Sequence, residues 1–159
     1  EAMERAGLTG TETVVDAYCG IGTISLFAAQ RAKRVIGVES VGEAVEDAKQ
    51  NAELNGIANA EFICAPAEEW LPQAVADGLA PDVALLDPPR KGCDSKLLDA
   101  ILSAEPQRVV YVSCDPATLA RDVKILTASG AYRVEGEVQP VDMFPQTGHV
   151  ECVCLLTRK

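Results

Sequence analysis

The chain has 159 residues, of which 48% are hydrophobic and 24% are charged, and its formal net charge is −10 at pH 7. This length and composition predict a single globular domain over residues 1–159 and exclude a disordered chain. Because an acidic surface repels polyanions, the charge argues against a nucleic-acid clamp over the whole surface. A polyanion would have to meet a local basic patch or other parts of a longer protein. No apolar run is long enough to span a bilayer, so no membrane association is expected.

The six cysteines occur without C-x-x-C spacing. That spacing is typical of metal sites, so its absence predicts free thiols and no metal centre. Free thiols are usual in a reducing compartment, and we therefore expect the protein in the cytoplasm.

Strands and helices alternate along most of the chain. A short first helix should end at Gly7, and its abrupt start predicts that the chain is a fragment of a longer protein. Five strands, each followed by a helical pattern, come next: Thr13–Ala17, Arg34–Glu39, Ala60–Cys64, Asp82–Asp87 and the run that begins at Val109. Tyr132–Gln139 and Val150–Leu156 then close the chain as two antiparallel strands. The order predicts an α/β fold with a mostly parallel, doubly wound sheet of seven strands and helices on both faces.

Three of the helix starts carry capping signals. Ser40–Glu43 has the pattern of a capping box, and Asp94 or Ser95 is suited to cap the helix that runs to Ser103. Asp115 is a good N-cap for a further helix, because Pro116 fits the first helical position.

A glycine loop, Asp16–Thr23, connects the first strand to the first long helix. Glycines let the backbone approach a ligand closely, and the helix N-terminus offers free N–H groups. Glu39 ends the second strand about twenty residues further on, where an acid can accept hydrogen bonds from ribose hydroxyls. The pair predicts a cofactor that contains adenosine. Ser25 stands where the dinucleotide fingerprint has its third glycine, which favours S-adenosylmethionine over NAD.

A second loop, Asp87–Gly92, leaves the fourth strand at the same predicted edge of the sheet. Its two prolines make it stiff, which suits the wall of a pocket. Asp87 is an acceptor at the end of a buried strand. Arg90 and Lys91 are adjacent cations that can meet a phosphate or a developing oxyanion.

Cys114 follows the fifth strand directly and precedes a helix. Ligands bind at the carboxyl edge of an open α/β sheet, and a helix N-terminus favours a thiolate. The neighbouring carboxylate of Asp115 opposes a second negative charge. A reactive cysteine and a buried structural cysteine both remain compatible with this placement.

Taken together, these motifs and the segment Val141–Glu151 resemble the RNA uracil-5-methyltransferases. The resemblance rests on Asp16–Thr23, Asp87–Gly92, Val112–Pro116, Val141–Pro145 and His149–Glu151, in the order that the family has them. It covers essentially the whole chain. It implies a Rossmann-like class I methyltransferase domain that uses S-adenosylmethionine on tRNA or rRNA. Family members normally carry an N-terminal half with an RNA-binding barrel, so RNA is expected to bind through the full-length protein.

The resemblance also implies roles for individual residues. Cys114 is the expected nucleophile toward uracil C6, Glu151 the expected base, and Asp87 is expected to line the pocket that holds the cofactor and the base. Arg90 is assigned to uracil O4 or a neighbouring phosphate, and Lys91 to the substrate. The expected cofactor-binding residues are Asp16, Tyr18, Gly20, Gly22, Thr23, Glu39 and Asp87.

The chain departs from the family pattern at three positions. Asp115 stands where asparagine is usual, Pro66 where an acid is usual, and Gln146 where histidine is common. Pro66 cannot accept a hydrogen bond from an adenine amino group.

Three other functions are compatible with parts of the sequence. A cytosine-5 methyltransferase uses the same cysteine chemistry, but it usually has Pro-Cys in the loop that here contains Asp87–Arg90. The missing third glycine counts against a dinucleotide-binding oxidoreductase. A module without catalytic activity is disfavoured because both Cys114 and Glu151 are present.

Overall fold

The computed structural model describes residues 1–143 and 145–159. Its strands are β1 Thr13–Ala17, β2 Arg34–Glu39, β3 Ala60–Cys64, β4 Val83–Leu86, β5 Arg108–Ser113, β6 Tyr132–Val134, β7 Gln139–Val141 and β8 Glu151–Arg158. Its helices are α1 Ala2–Ala6, α2 Thr23–Ala29, α3 Gly42–Leu54, α4 Ala67–Ala76, α5 Ser95–Ala104 and α6 Pro116–Ala128.

The strands form one mixed sheet in the order β3-β2-β1-β4-β5-β8-β6, with β7 also paired to β8. The first five strands are parallel to their neighbours, and β8 runs antiparallel to β5. The predicted α/β, Rossmann-like fold is therefore confirmed. The chain reverses direction across the sheet between β1 and β4, which is the switch point where such sheets bind ligands.

The predicted number of seven strands is wrong, because the described part of the chain forms a sheet of eight strands. Val134 pairs with Leu156, and Gln139 pairs with Val153. The four residues 135–138 therefore face only two residues, 154 and 155, of β8. The excess interrupts the ladder, as a bulge does, so the strand predicted over Tyr132–Gln139 divides into β6 and β7.

The core lies on both faces of the sheet, since neighbouring residues of a strand point to opposite faces. Val15 packs into the core under α4, α5 and α6, whereas Val14 packs with Ala28 of α2 on the other face. Two helix caps are confirmed: Asp94 accepts from Lys96 N, and Asp115 accepts from Ala117 N and Thr118 N.

The predicted capping box at Ser40–Glu43 is wrong. The N-cap of α3 is Val41, without a side-chain cap hydrogen bond, and the Ser40 hydroxyl donates to Glu39 instead. Glu39 also accepts from Val41 N at 2.9 Å. The acid at the end of β2 thus takes over part of what the capping box would do. Within the described ranges, no helix is both long and apolar enough to cross a membrane.

Candidate active site

The carboxyl ends of β1, β2, β4 and β5 meet at one edge of the sheet because these strands are parallel. Tyr18, Asp87 and Cys114 come directly after three of the strands, and Glu39 is the last residue of β2. The sheet therefore brings together predicted site residues from distant parts of the chain.

The glycine loop turns sharply between β1 and α2. Tyr18, Gly20 and Gly22 all have positive φ, at 70°, 54° and 85°. A Cβ on Gly22 would lie 3.1 Å from both Ala48 Cβ and the Phe62 ring, so side-chain space is lacking there as well. The turn presents Gly20 N–H to the Glu39 carboxylate at 3.2 Å, which joins the two predicted cofactor motifs directly.

Asp16 lies beneath this loop and is 1% exposed. Its Oδ2 accepts from the Ser25 hydroxyl at 2.6 Å, whereas its Oδ1 has no hydrogen-bond partner among the described residues. Burial, and to a smaller degree the charge of Asp87, raise the pKa of the Asp16 carboxyl to about 7. The buried unpartnered oxygen leaves this carboxyl able to accept one more donor.

A pocket of about 350 Å³ opens at the switch point. Its lining residues are Tyr18, Val38, Glu39, Ser40, Pro66, Ala67, Glu68, Asp87, Pro89, Lys91 and Asp94. Four of the predicted site residues are among them: Tyr18, Glu39, Asp87 and Lys91. Thr23 instead lines a separate surface pocket beside Phe27, so its assignment to the cofactor stays a prediction.

Asp87 and Glu151 are electrostatically coupled across this edge. The crowding of protein atoms around the Asp87 carboxyl and the negative charge of Glu151 together raise the Asp87 pKa to about 6. The Asp87 residue as a whole is exposed, so its carboxyl stands in an open cleft rather than in the core. The two carboxyls come from segments more than sixty positions apart in the sequence, and the fold brings them into the same field.

Cys114 and Glu151 each lie one residue beyond the last pair of the β5–β8 ladder. That last pair is Ser113 with Cys152. Cys114 follows Ser113 and Glu151 precedes Cys152, so the antiparallel register, continued by one position, would make them the next pair. Opposed residues of antiparallel strands have Cβ atoms about 5 Å apart on one face. Glu151 is also held from its other side, where it pairs with Val141 of β7.

A model of the family described as tRNA (Uracil-5-)-methyltransferase matches residues 4–159. This chain belongs to that family. The predicted resemblance to RNA uracil-5-methyltransferases is thereby confirmed.

The relatives of this chain are much longer than it is. An uncharacterized RNA methyltransferase of Bacillus cereus is 59% identical over 158 residues, which are 99% of this chain and 34% of the relative. One of Clostridium acetobutylicum is 59% identical over 157 residues, again 34% of its length. The chain thus spans about a third of these relatives.

Solved structures agree with the fold. The tRNA (uracil-54, C5)-methyltransferase of Pyrococcus abyssi, in complex with S-adenosyl-L-homocysteine, matches with a TM-score of 0.83 and 36% identity. The match covers 98% of this chain and 37% of that one. The precorrin-6y C5,15-methyltransferase of Geobacter metallireducens matches with a TM-score of 0.80 but only 18% identity over 99% of this chain and 86% of its own, which supports the fold alone.

In this member of the family, Arg90 joins two loops that the sequence did not connect. Its Nη2 lies 3.4 Å from His149 Nε2, just ahead of β8. Hydrogen bonds from the first turn of α6 lower the pKa of the Asp115 carboxyl, and the Arg90 charge lowers it further by a smaller amount. The charge of Arg90 therefore acts on the residue that follows Cys114. An arginine only donates, so the His149 contact requires an unprotonated Nε2.

The buried carboxylate of Asp122, on α6, is not part of any of the predicted motifs. It is 0% exposed and accepts a hydrogen bond from the Tyr111 hydroxyl at 2.6 Å. A signal was present, since Asp122 lies between Leu119 and Leu126 on the buried face of the helix. A charged residue at an apolar helical position needs partners, and two of these come from outside the helix.

Proposed function

We propose that this domain transfers a methyl group from S-adenosylmethionine to C5 of uridine in RNA. The observation that carries the proposal is the β5–β8 register, which ends next to both Cys114 and Glu151, in a member of the tRNA (uracil-5-)-methyltransferase family. We further propose that the domain is the catalytic third of a longer protein whose other parts hold most of the RNA. The net charge of −10 supports this, because the domain alone offers little attraction for a polyanion.

The residues at the pocket fit S-adenosylmethionine. Glu39 offers carboxylate oxygens for a ribose diol, and the Gly20–Gly22 turn brings bare backbone to the same place. The unpartnered Asp16 Oδ1 is suited to a donor that approaches through that turn. When bound, S-adenosylmethionine supplies a sulfonium methyl group that an electron-rich carbon can attack.

Cys114 is proposed to make uracil C5 electron-rich. Its thiolate forms a bond to C6, and the electron pair of the C5–C6 double bond moves through C4 onto O4 as an enolate. Arg90, whose charge acts on Asp115, is proposed to stabilise that oxyanion or a neighbouring phosphate. C5 then carries the electron pair that takes the methyl group. The target base has to leave its stack to reach the thiol.

Glu151 is proposed to complete the reaction as the base. After methyl transfer C5 carries both a methyl group and a proton. Glu151 takes that proton, the C5–C6 double bond re-forms, and the sulfur leaves C6 as the Cys114 thiolate.

The test is nucleoside mass spectrometry of tRNA and rRNA from cells that lack the parent gene. We expect one 5-methyluridine mark to be lost, to return with the wild-type gene, and to stay lost with a Cys114→Ala gene. An unchanged level of 5-methyluridine contradicts the proposal. A lost 5-methylcytidine would instead identify the cytosine-5 alternative.

A further inference from the structure

Asp122 gathers hydrogen bonds from three parts of the chain. Its Oδ2 accepts from the Tyr111 hydroxyl at 2.6 Å and from Cys93 N at 2.8 Å, and its Oδ1 accepts from Arg121 Nε at 2.8 Å. The first donor is on β5, the second follows the Asp87–Gly92 loop, and the third is on α6 itself. A carboxylate that is 0% exposed is tolerated because all of these donors reach it.

Arg121 extends the same contact onto the loop. Its Nη2 donates to Lys91 O at 2.9 Å and to Cys93 O at 3.4 Å. Gly92, between them, has φ +78°, and a Cβ there would lie 2.5 Å from Arg121 Nη2 and 2.6 Å from Asp122 Oδ2. The end of the loop is thus pressed against α6 with no room for a side chain.

One helix therefore fixes two parts of the proposed active site. The N-terminus of α6 is capped by Asp115, immediately after Cys114, and its second turn binds residues 91–93. Arg90 directly precedes the bound segment and stands near Asp115 and His149. We propose that Asp122 is a positioning residue, which sets the place of Arg90 relative to the Cys114 thiol by holding the loop to α6. This inference rests on the proposed function for its kinetic consequence, but not for its structural one.

The kinetic test is a double-mutant cycle in the full-length protein. If Asp122 acts through Arg90, Asp122→Asn lowers kcat for methyl transfer on the order of 10- to 100-fold in the wild-type background. In an Arg90→Ala background, the same change should cost less than about threefold, because coupled residues are not additive. Equal factors in the two backgrounds would assign Asp122 a merely structural role and overturn the proposal. Asp47→Asn, on the exposed side of α3, controls for the loss of one negative charge.

The structural test does not require activity. Hydrogen exchange of the Cys93 amide should speed up at least about tenfold in Asp122→Asn, since asparagine keeps only one uncharged acceptor oxygen for donors that use both carboxylate oxygens. Amides of β1 and β2 should keep their wild-type rates. Unchanged exchange at Cys93 overturns the positioning role even if methyl transfer is never detected, whereas fast exchange with no wild-type activity rejects only the proposed function.

Gly92→Ala provides a second route if Asp122→Asn does not fold. The added Cβ is expected to push the loop away from α6, and the Asp122 side chain is not substituted. It should reproduce the faster Cys93 exchange and the dependence on Arg90. Wild-type exchange at Cys93 and wild-type turnover in Gly92→Ala would contradict the proposal that the loop has to be held to α6.

Discussion

Desolvation and the negative charge of Glu151 together raise the pKa of the Asp87 carboxyl to about 6. Asp87 follows β4 and Glu151 begins β8, with β5 and Cys114 between these strands. The two carboxyls therefore come from the strands on either side of the one that precedes the proposed nucleophile.

The coupling predicts a pH effect on methyl transfer. As the pH falls through about 6, Asp87 gains a proton, and the pocket proposed to hold the positively charged sulfonium loses a negative charge, so the single-turnover rate should decrease. In Asp87→Asn this acidic limb should vanish, and the rate at pH 8 should be lower by roughly tenfold. Rates between pH 5 and 9 measure it. A limb near pH 6 that persists in Asp87→Asn would show that another group causes it.

Glu151→Gln is expected to separate the two halves of the reaction. Cys114 still adds to C6, but proton abstraction from C5 stalls and the protein–RNA bond persists. A denaturation-resistant adduct should therefore accumulate on a gel with the full-length protein and S-adenosylmethionine. Methylation without any adduct would refute the assignment of the base.

Cys114→Ala is expected to abolish turnover, with a loss of at least about a thousandfold. Because Cys114 does not line the switch-point pocket, the affinity for S-adenosyl-homocysteine should change by less than about threefold. Calorimetry and a methyl-transfer assay on the same preparation check both statements. The variant also serves as the negative control for adduct formation, and full activity in it would exclude the nucleophile.

Asp16 predicts a pH-dependent stability. In the folded protein its pKa is raised to about 7 from an ordinary value of 3.8, because burial favours the protonated carboxyl. The contribution of the protonated carboxyl to folding stability is therefore fully present below about pH 4. That stability is lost as the pH rises through about 7. Asp16→Asn has no charge to bury, so at pH 8 it should be more stable than wild type, on the order of 2 kcal/mol. The advantage should shrink toward pH 4. Urea unfolding at the two pH values measures it, and a pH-independent difference would contradict the buried charge.

Local patterns sufficed for much of this protein. The five strand–helix units, the caps at Asp94 and Asp115, and the Gly20–Gly22 turn all follow from residues close to one another in the chain. The family motifs also placed Cys114 and Glu151 at the ends of strands. Such features depend on side-chain periodicity and short-range hydrogen bonds, which a sequence displays directly.

The remaining features depend on the register between distant segments of the chain, so only the tertiary structure decided them. Residues 135–138 outnumber the β8 residues opposite them, which divides one predicted strand into two. Glu39 accepts hydrogen bonds from the Ser40 hydroxyl and Val41 N, so the predicted capping box at Ser40 does not form. The register of β5 with β8 brings the segments that carry Cys114 and Glu151 to the same end of the ladder. Asp122 finds its donors on a strand and a loop that only folding brings to it. No local pattern specifies such contacts, because their energy depends on groups far away in sequence that share one desolvated space.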